Sequence, residues 1–238
     1  MLSAAAIDIL LFGTLPYVAF AVFFILTIQR YIERSFTYSS LSSQFLENRQ
    51  HFWGMVPFHY GILVVLAGHV VGLLIPRTVL AWNSRPLRLY VLEVTALVFG
   101  MLTVIGLAAL IGRRATNGRL RTVTSAGDWL ILALLMAQVG GGVLIAVLYP
   151  WGSSWYAALG APYLWSIVRL HPDVALVAAL PWPIKFHIVN AFLIVAVFPF
   201  TRLVHILVIP NPYLWRKPQV VRWHGPAPAA VRNLRSRS

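Results

Sequence analysis

The chain has 238 residues, of which 59% are hydrophobic and only 11% charged. Soluble domains carry about 25% charged residues, so the composition excludes a soluble globular protein and leaves an integral membrane one. There is no cysteine, which excludes disulfides, thiolate metal sites, cysteine-held iron–sulfur clusters and covalently attached c-type haem. The net charge of +13 would suit nucleic acid, but the arginines fall between apolar runs. They report membrane topology first, and no nucleic-acid partner is expected.

The N-terminal stretch does not read as a convincing signal peptide. Its first seven residues carry no positive charge, and the apolar run to Thr27 is too long. It reads as a retained first span. Since about 20 apolar residues cross a bilayer, spans are expected at roughly 7–29, 53–75, 88–112, 126–149 and 183–209. The fold class is an all-α integral membrane protein, a bundle of five transmembrane helices forming one membrane domain over 1–209. Trp155–Leu159 and Tyr163–Val168 fall in the longest loop, and their aromatic residues predict short amphipathic helices on the membrane surface. Pro210 and Pro212 are expected to end the fifth span. A basic tail, 210–238, follows, and its prolines predict that it orders against a partner.

Five spans put the termini on opposite sides. One side collects fourteen basic residues: Arg30, Arg34, Arg49, Arg113, Arg114, Arg119, Arg121, Arg202 and six in the tail. The other holds five, Arg77, Arg85, Arg88, Arg169 and Lys185. The richer side is expected to be cytoplasmic, with the N-terminus outside and the C-terminus cytoplasmic. Arg77, Arg85 and Arg88 sit against that rule.

Four histidines fall inside spans: His59 and His69 on the second, His187 and His205 on the fifth. Ionisable side chains in a membrane are functional hypotheses by default. The two spans are antiparallel, so His59 and His205 lie toward the cytoplasmic side and His69 and His187 toward the outer side. Along a helix the members of each span are about 15 Å and about 27 Å apart. Two cross-helix pairs therefore stack across the bilayer. A zinc site wants more ligands, and neither Glu93 nor Asp128 is spaced to join a pair. A haem iron needs two axial ligands beyond the porphyrin, which suits one histidine from each helix. Gly61, Gly68 and Gly72 would let a flat macrocycle approach the backbone; the same glycines suit helix–helix packing. Arg202 could hold a haem propionate or serve as an ordinary positive-inside arginine.

The motifs Phe58-His59-Tyr60-Gly61-Ile62, Gly68-His69-Val70-Val71-Gly72, Lys185-Phe186-His187 and Phe200-Thr201-Arg202-Leu203-Val204-His205-Ile206 resemble the gamma subunit of membrane-bound respiratory nitrate reductase. Tyr17, Arg30-Tyr31, Ser42-Ser43-Gln44, Gly127-Asp128 and Pro212-Tyr213-Leu214 extend the likeness along nearly the whole chain. The resemblance implies two b haems, the outer one held by His69 and His187 and the inner by His59 and His205. It implies quinol oxidation near the outer haem and electron flow inward to a cytoplasmic iron–sulfur (beta) subunit. A molybdenum-containing catalytic (alpha) subunit would then reduce nitrate. It places the chain in a prokaryotic inner membrane, crossing it several times. It also assigns Arg88 to the quinol site, where the family pattern has lysine; arginine keeps the charge but offers a planar fork. Trp82 is the one tryptophan expected near a quinol.

Two other readings compete. One is a cytochrome b subunit of a different quinone-linked complex, in sulfur metabolism or nitrite oxidation. The other is a non-redox transporter with histidines along its path, disfavoured by the few carboxylates and the lack of an internal repeat. His51, His171 and His224 lie outside the spans and carry no assigned role.

Overall fold

A computed structural model of the chain describes residues 3–34 and 49–207. Ser42–Gln44, Pro212–Leu214, His224 and the whole tail 210–238 lie outside the described residues. Among those described, all regular structure is helical, and five helices are long and apolar enough to cross a membrane.

The first span runs over Ala4–Arg34, longer at both ends than composition suggested. Ser3 caps it, its hydroxyl accepting from the Ala6 amide at 3.2 Å, and a π-helical turn over Ile9–Thr14 interrupts it. The second is the helix Arg49–Leu74, with Pro57 inside it. It stops where Pro76 forces Ile75 out of the helical region (φ −129°, ψ 52°). After the short helix Pro76–Asn83, the third span opens with proline in its first turn, over Pro86–Thr116. A capping box between Ser125 and Asp128 opens the fourth, Ala126–Leu148.

The second and third spans pack closely because each offers small residues to the other. A Cβ at Gly106 would press on the Phe58 amide and lie 2.9 Å from the Gly54 carbonyl oxygen. One at Gly61 would meet the Thr103 hydroxyl and lie 2.8 Å from the Phe99 carbonyl oxygen. Gly61 therefore serves helix packing. Gly72 does too, since its Cβ would lie 2.7 Å from the Tyr156 ring. Of the three glycines expected to face a macrocycle, only Gly68 opens onto free space.

The fifth span departs from the expected single helix over 183–209. Its α-helix covers Trp182–Val197 and gives way to a 3-10 turn at Phe198–Phe200, which contains Pro199. Thr201 is extended (φ −113°, ψ 178°), and a second 3-10 segment, Arg202–Leu207, carries His205. The break is set by Pro199, ahead of Pro210 and Pro212. The axial separation expected for His187 and His205 on one straight helix does not apply.

The loop between the fourth and fifth spans was expected on the surface. It instead plugs the end of the bundle opposite Asp128, which we call the loop end. Short helices Gly152–Trp155, Ala161–Val168 and Ala175–Ala178 are joined through a π-helical turn at Tyr156–Gly160. Tyr163, Ile167 and Val177 form a core cluster with Phe12 and Ala19 of the first span and Phe192 of the fifth. Tyr163 is fully buried, and its hydroxyl donates to the Phe12 carbonyl at 2.8 Å. The Tyr17 hydroxyl donates to the Ile167 carbonyl at 3.1 Å. Large apolar side chains elsewhere, such as Ile25, Leu63, Val98 and Val147, point outward, as lipid contact requires.

Candidate functional site

In a helix the Cα–Cβ bond leans toward the N-terminus, so a histidine ring can reach a carbonyl one turn back. Three of the four span histidines do this. His59 Nδ1 lies 2.9 Å from the Met55 carbonyl oxygen, and His69 Nδ1 lies 2.8 Å from that of Val65. His205 Nδ1 meets the carbonyl of Arg202, three residues back. A carbonyl only accepts, so each Nδ1 carries the proton and the lone pair sits on Nε2, the arrangement of a metal-ligating imidazole.

His187 differs, because an amide donor rather than a backbone carbonyl meets its ring. Asn190 donates to the Leu134 carbonyl at 3.0 Å and to Gln138 Oε1 at 2.8 Å. Gln138 is thereby turned so that its amide nitrogen faces His187 Nε2 at 3.1 Å, which must accept. His187 Nδ1 is buried without a partner. A Cβ at Gly142 would lie 3.1 Å from His187 Cε1, while Gly140 opens onto free space. His187 and His69 are within electrostatic reach of each other. Among the described residues no three His, Asp or Glu side chains converge, so the imidazoles can act at most in pairs. Three free Nε2 lone pairs, on His59, His69 and His205, and open backbone at Gly68 and Gly140 fit a flat group held from two sides, with Gln138 standing on the Nε2 of the fourth imidazole.

Near His69 the polar contacts come from the loop. The Tyr156 hydroxyl donates to the His69 carbonyl at 3.1 Å, and the two rings meet edge to face at 5.3 Å. Burial pushes the Tyr156 phenol up to about 12, so it stays a donor at neutral pH. The Trp165 indole donates to the Leu73 carbonyl at 2.8 Å. Glu93 accepts from the Ser153 amide at 2.8 Å and hydroxyl at 2.6 Å, and Asn83 donates to the Ser153 and Ser154 hydroxyls. Arg88 and Trp82 come together here: the guanidinium lies 4.9 Å from the indole ring centre, and the Trp82 indole donates to the Arg88 carbonyl. Both side chains are exposed. Lys185 pairs with Asp8 at 3.0 Å, tying the fifth span to the first. Arg77 and Arg169, two of the basic residues opposing the charge rule, line one cavity of about 380 Å³ with Trp165 and Pro76.

The other end is ionic. Arg202 Nε lies 2.7 Å from Asp128 Oδ1, and its Nη2 donates to both Asp128 Oδ2 and the Val123 carbonyl. Arg202 is therefore engaged with protein, beyond what its position in the sequence implied. His171 is exposed and makes no part of either cluster.

Gln138, Asn190 and the run Gly140–Gly142 were not expected from sequence. A signal existed: Gln138 is the one amide in the fourth span and stands two residues before three consecutive glycines. The contacts of Tyr156 with His69, Glu93 with Ser153 and Asp128 with Arg202 gave none, because these partners are tens of residues apart.

The family model described as "Nitrate reductase gamma subunit" matches residues 8–224. Among curated proteins, the nitrate reductase gamma chain of Bacillus subtilis (strain 168) is 34% identical over 216 residues, covering 90% of this chain and 97% of that one. The respiratory nitrate reductase 2 gamma chain of Escherichia coli (strain K12) is 32% identical, covering 91% and 97%. The respiratory nitrate reductase 1 gamma chain of the same organism is 31% identical with the same coverage.

Proposed function

Because the chain belongs to the nitrate reductase gamma-subunit family, we propose that it is the dihaem cytochrome b subunit through which quinol feeds a nitrate reductase complex. The observation that carries this is the state of three of the four imidazoles. His59, His69 and His205 each donate Nδ1–H to a backbone carbonyl and leave the Nε2 lone pair free; at His187 the Gln138 amide occupies Nε2 and would have to turn away for a metal to bind there. His69 and His187 are the ligands of the haem at the loop end; His59 and His205 are those of the haem at the Asp128 end. When bound, the two haems supply one-electron transfer between the ends of the bundle. Arg202, already oriented by Asp128, is the contact for a propionate.

Quinol oxidation belongs at the loop end, outside the cytoplasm. Arg88, held over Trp82, offers a guanidinium to a quinol oxygen. A quinol becomes a quinone by giving up two protons and two electrons. The protons leave on the outer side and the electrons pass to a cytoplasmic iron–sulfur subunit, then to a molybdenum-containing catalytic subunit. Each charge moved across the membrane corresponds to about 2.3 kcal/mol per 100 mV, so redox energy is kept as membrane potential. The N-terminus is outside, and the basic tail faces the cytoplasmic partners. The family match favours this over a cytochrome b of sulfur metabolism or nitrite oxidation, and over a transporter.

The test is a reduced-minus-oxidised optical spectrum with haem quantified per purified chain. A b-type band at about two haems per chain is expected; absence of any b-type band sinks the proposal.

A further inference from the structure

His205 is the least conventionally supported of the four histidines. The α-helix of the fifth span ends at Val197, and Thr201 is extended. No continuous ladder of helical hydrogen bonds therefore reaches the 3-10 segment that carries His205. Contacts from two other spans take its place. Arg30 of the first span donates to the Pro199 and Thr201 carbonyls, closing the broken end. Asp128 of the fourth span, only 5% exposed, grips Arg202 with both oxygens, at 2.7 and 2.9 Å. Arg202 in turn presents its own carbonyl to His205 Nδ1. Asp128 is itself fixed: its Oδ2 accepts from the Ser125 amide at 2.9 Å and its amide bonds to the Ser125 hydroxyl at 3.2 Å. One chain of contacts thus runs from the start of the fourth span to the proton on His205.

We propose that Asp128 is a positioning residue for His205: its bidentate grip on Arg202 sets the orientation of that imidazole and balances the positive charge beside it. This rests on the reading of His205 as a haem ligand. A carboxylate gripping a planar guanidinium at two points fixes direction as well as distance. Its negative charge also favours the oxidised haem, which carries one more positive charge than the reduced form. Removing that charge while leaving Arg202 in place should favour reduction of the nearer haem and leave the farther one alone, because interaction falls with distance.

The experiment uses the full complex with its partner subunits. Asp128→Asn and Asp128→Glu are compared with wild type by potentiometric optical titration and low-temperature electron paramagnetic resonance. The haem that survives His69→Ala identifies the inner signals. In Asp128→Asn the inner haem should become easier to reduce by roughly tenfold in equilibrium constant, about 59 mV for one electron. Its low-spin resonance should move while the outer haem keeps both properties. Asp128→Glu restores the charge with a longer reach, so the potential should return most of the way while the resonance stays displaced. Selective loss of the inner haem in Asp128→Asn also supports the proposal. Unchanged inner signals in both variants overturn it. So does an equal change or loss at both haems, which would mark a general role in folding. Wild type without two b haems would instead defeat the underlying reading, so the two failures are separable.

Discussion

The two ends of the bundle hold their histidines by different physics. At the Asp128 end the backbone of the fifth span is broken, and charge repairs it: Arg30 caps loose carbonyls and Asp128 locks Arg202. At the loop end the helices that carry His69 and His187 are continuous, and the supports nearest the histidines are mostly neutral: Tyr156 on the His69 carbonyl, Gln138 and Asn190 on His187, Trp165 on Leu73. An ion pair fixes direction at long reach and suits a segment without a helical ladder. Neutral hydrogen bonds and packed rings suit a region where helices already fix position and only ring orientation remains open.

That contrast can be broken or sharpened experimentally. The largest effect is expected from His69→Ala. Haem content should fall from about two to about one per chain, with quinol-dependent reduction of the complex lost and the inner haem retained; retention of both haems would show the pairing to be wrong. Next comes Gly106→Val, which drives a side chain into the backbone of the second span at Phe58 and Gly54. Overpacking costs about 1–3 kcal/mol even against side chains, so this variant should lose at least that in thermal unfolding in detergent, affecting both ends. Tyr163→Phe leaves the buried Phe12 carbonyl without its donor, a cost of about 1–3 kcal/mol. Its damage should fall on the loop end, read as faster proteolysis between the fourth and fifth spans.

Smaller effects separate chemistry from structure. Arg88→Ala should raise the KM for quinol by about tenfold, near 1.4 kcal/mol, without changing haem content. Arg88→Lys, which keeps the charge and loses the fork and the stacking on Trp82, should fall between Arg88→Ala and wild type. An unaltered KM in both would remove Arg88 from the quinol site. The smallest is Asp8→Asn. The Asp8–Lys185 pair is partly exposed, and such pairs contribute about 1 kcal/mol or less, so only a slight loss of thermal stability is expected, with both haem signals unchanged.

Much of this architecture was legible in the sequence. Span number follows from composition over windows of about 20 residues, a local property, and the observed first and third spans differ mainly in running further into their flanks. The four histidines stood out because imidazoles are costly in hydrocarbon. Two local expectations were settled by contacts distant in sequence. The 149–181 loop carries interface-type aromatics, yet Tyr163 and Ile167 bury in one cluster with Phe12 and Ala19 of the first span and Phe192 of the fifth. Gly61 and Gly72 suited either clearance for a flat ligand or packing, and their absent side chains make room for Thr103 and Tyr156, which favours the second reading.

By itself, then, the sequence determined that the chain is a five-span helical membrane protein and which four imidazoles are available, since hydropathy, helix rise and the cost of burying a polar group act along short stretches. Only the tertiary structure decided which nitrogen each imidazole offers, that Pro199 breaks the fifth helix before His205, and that Asp128, 74 residues from Arg202 along the chain, holds that broken end. Such contacts depend on the register in which helices pack and on the angle of each side chain, and no pattern along one helix specifies what stands opposite it.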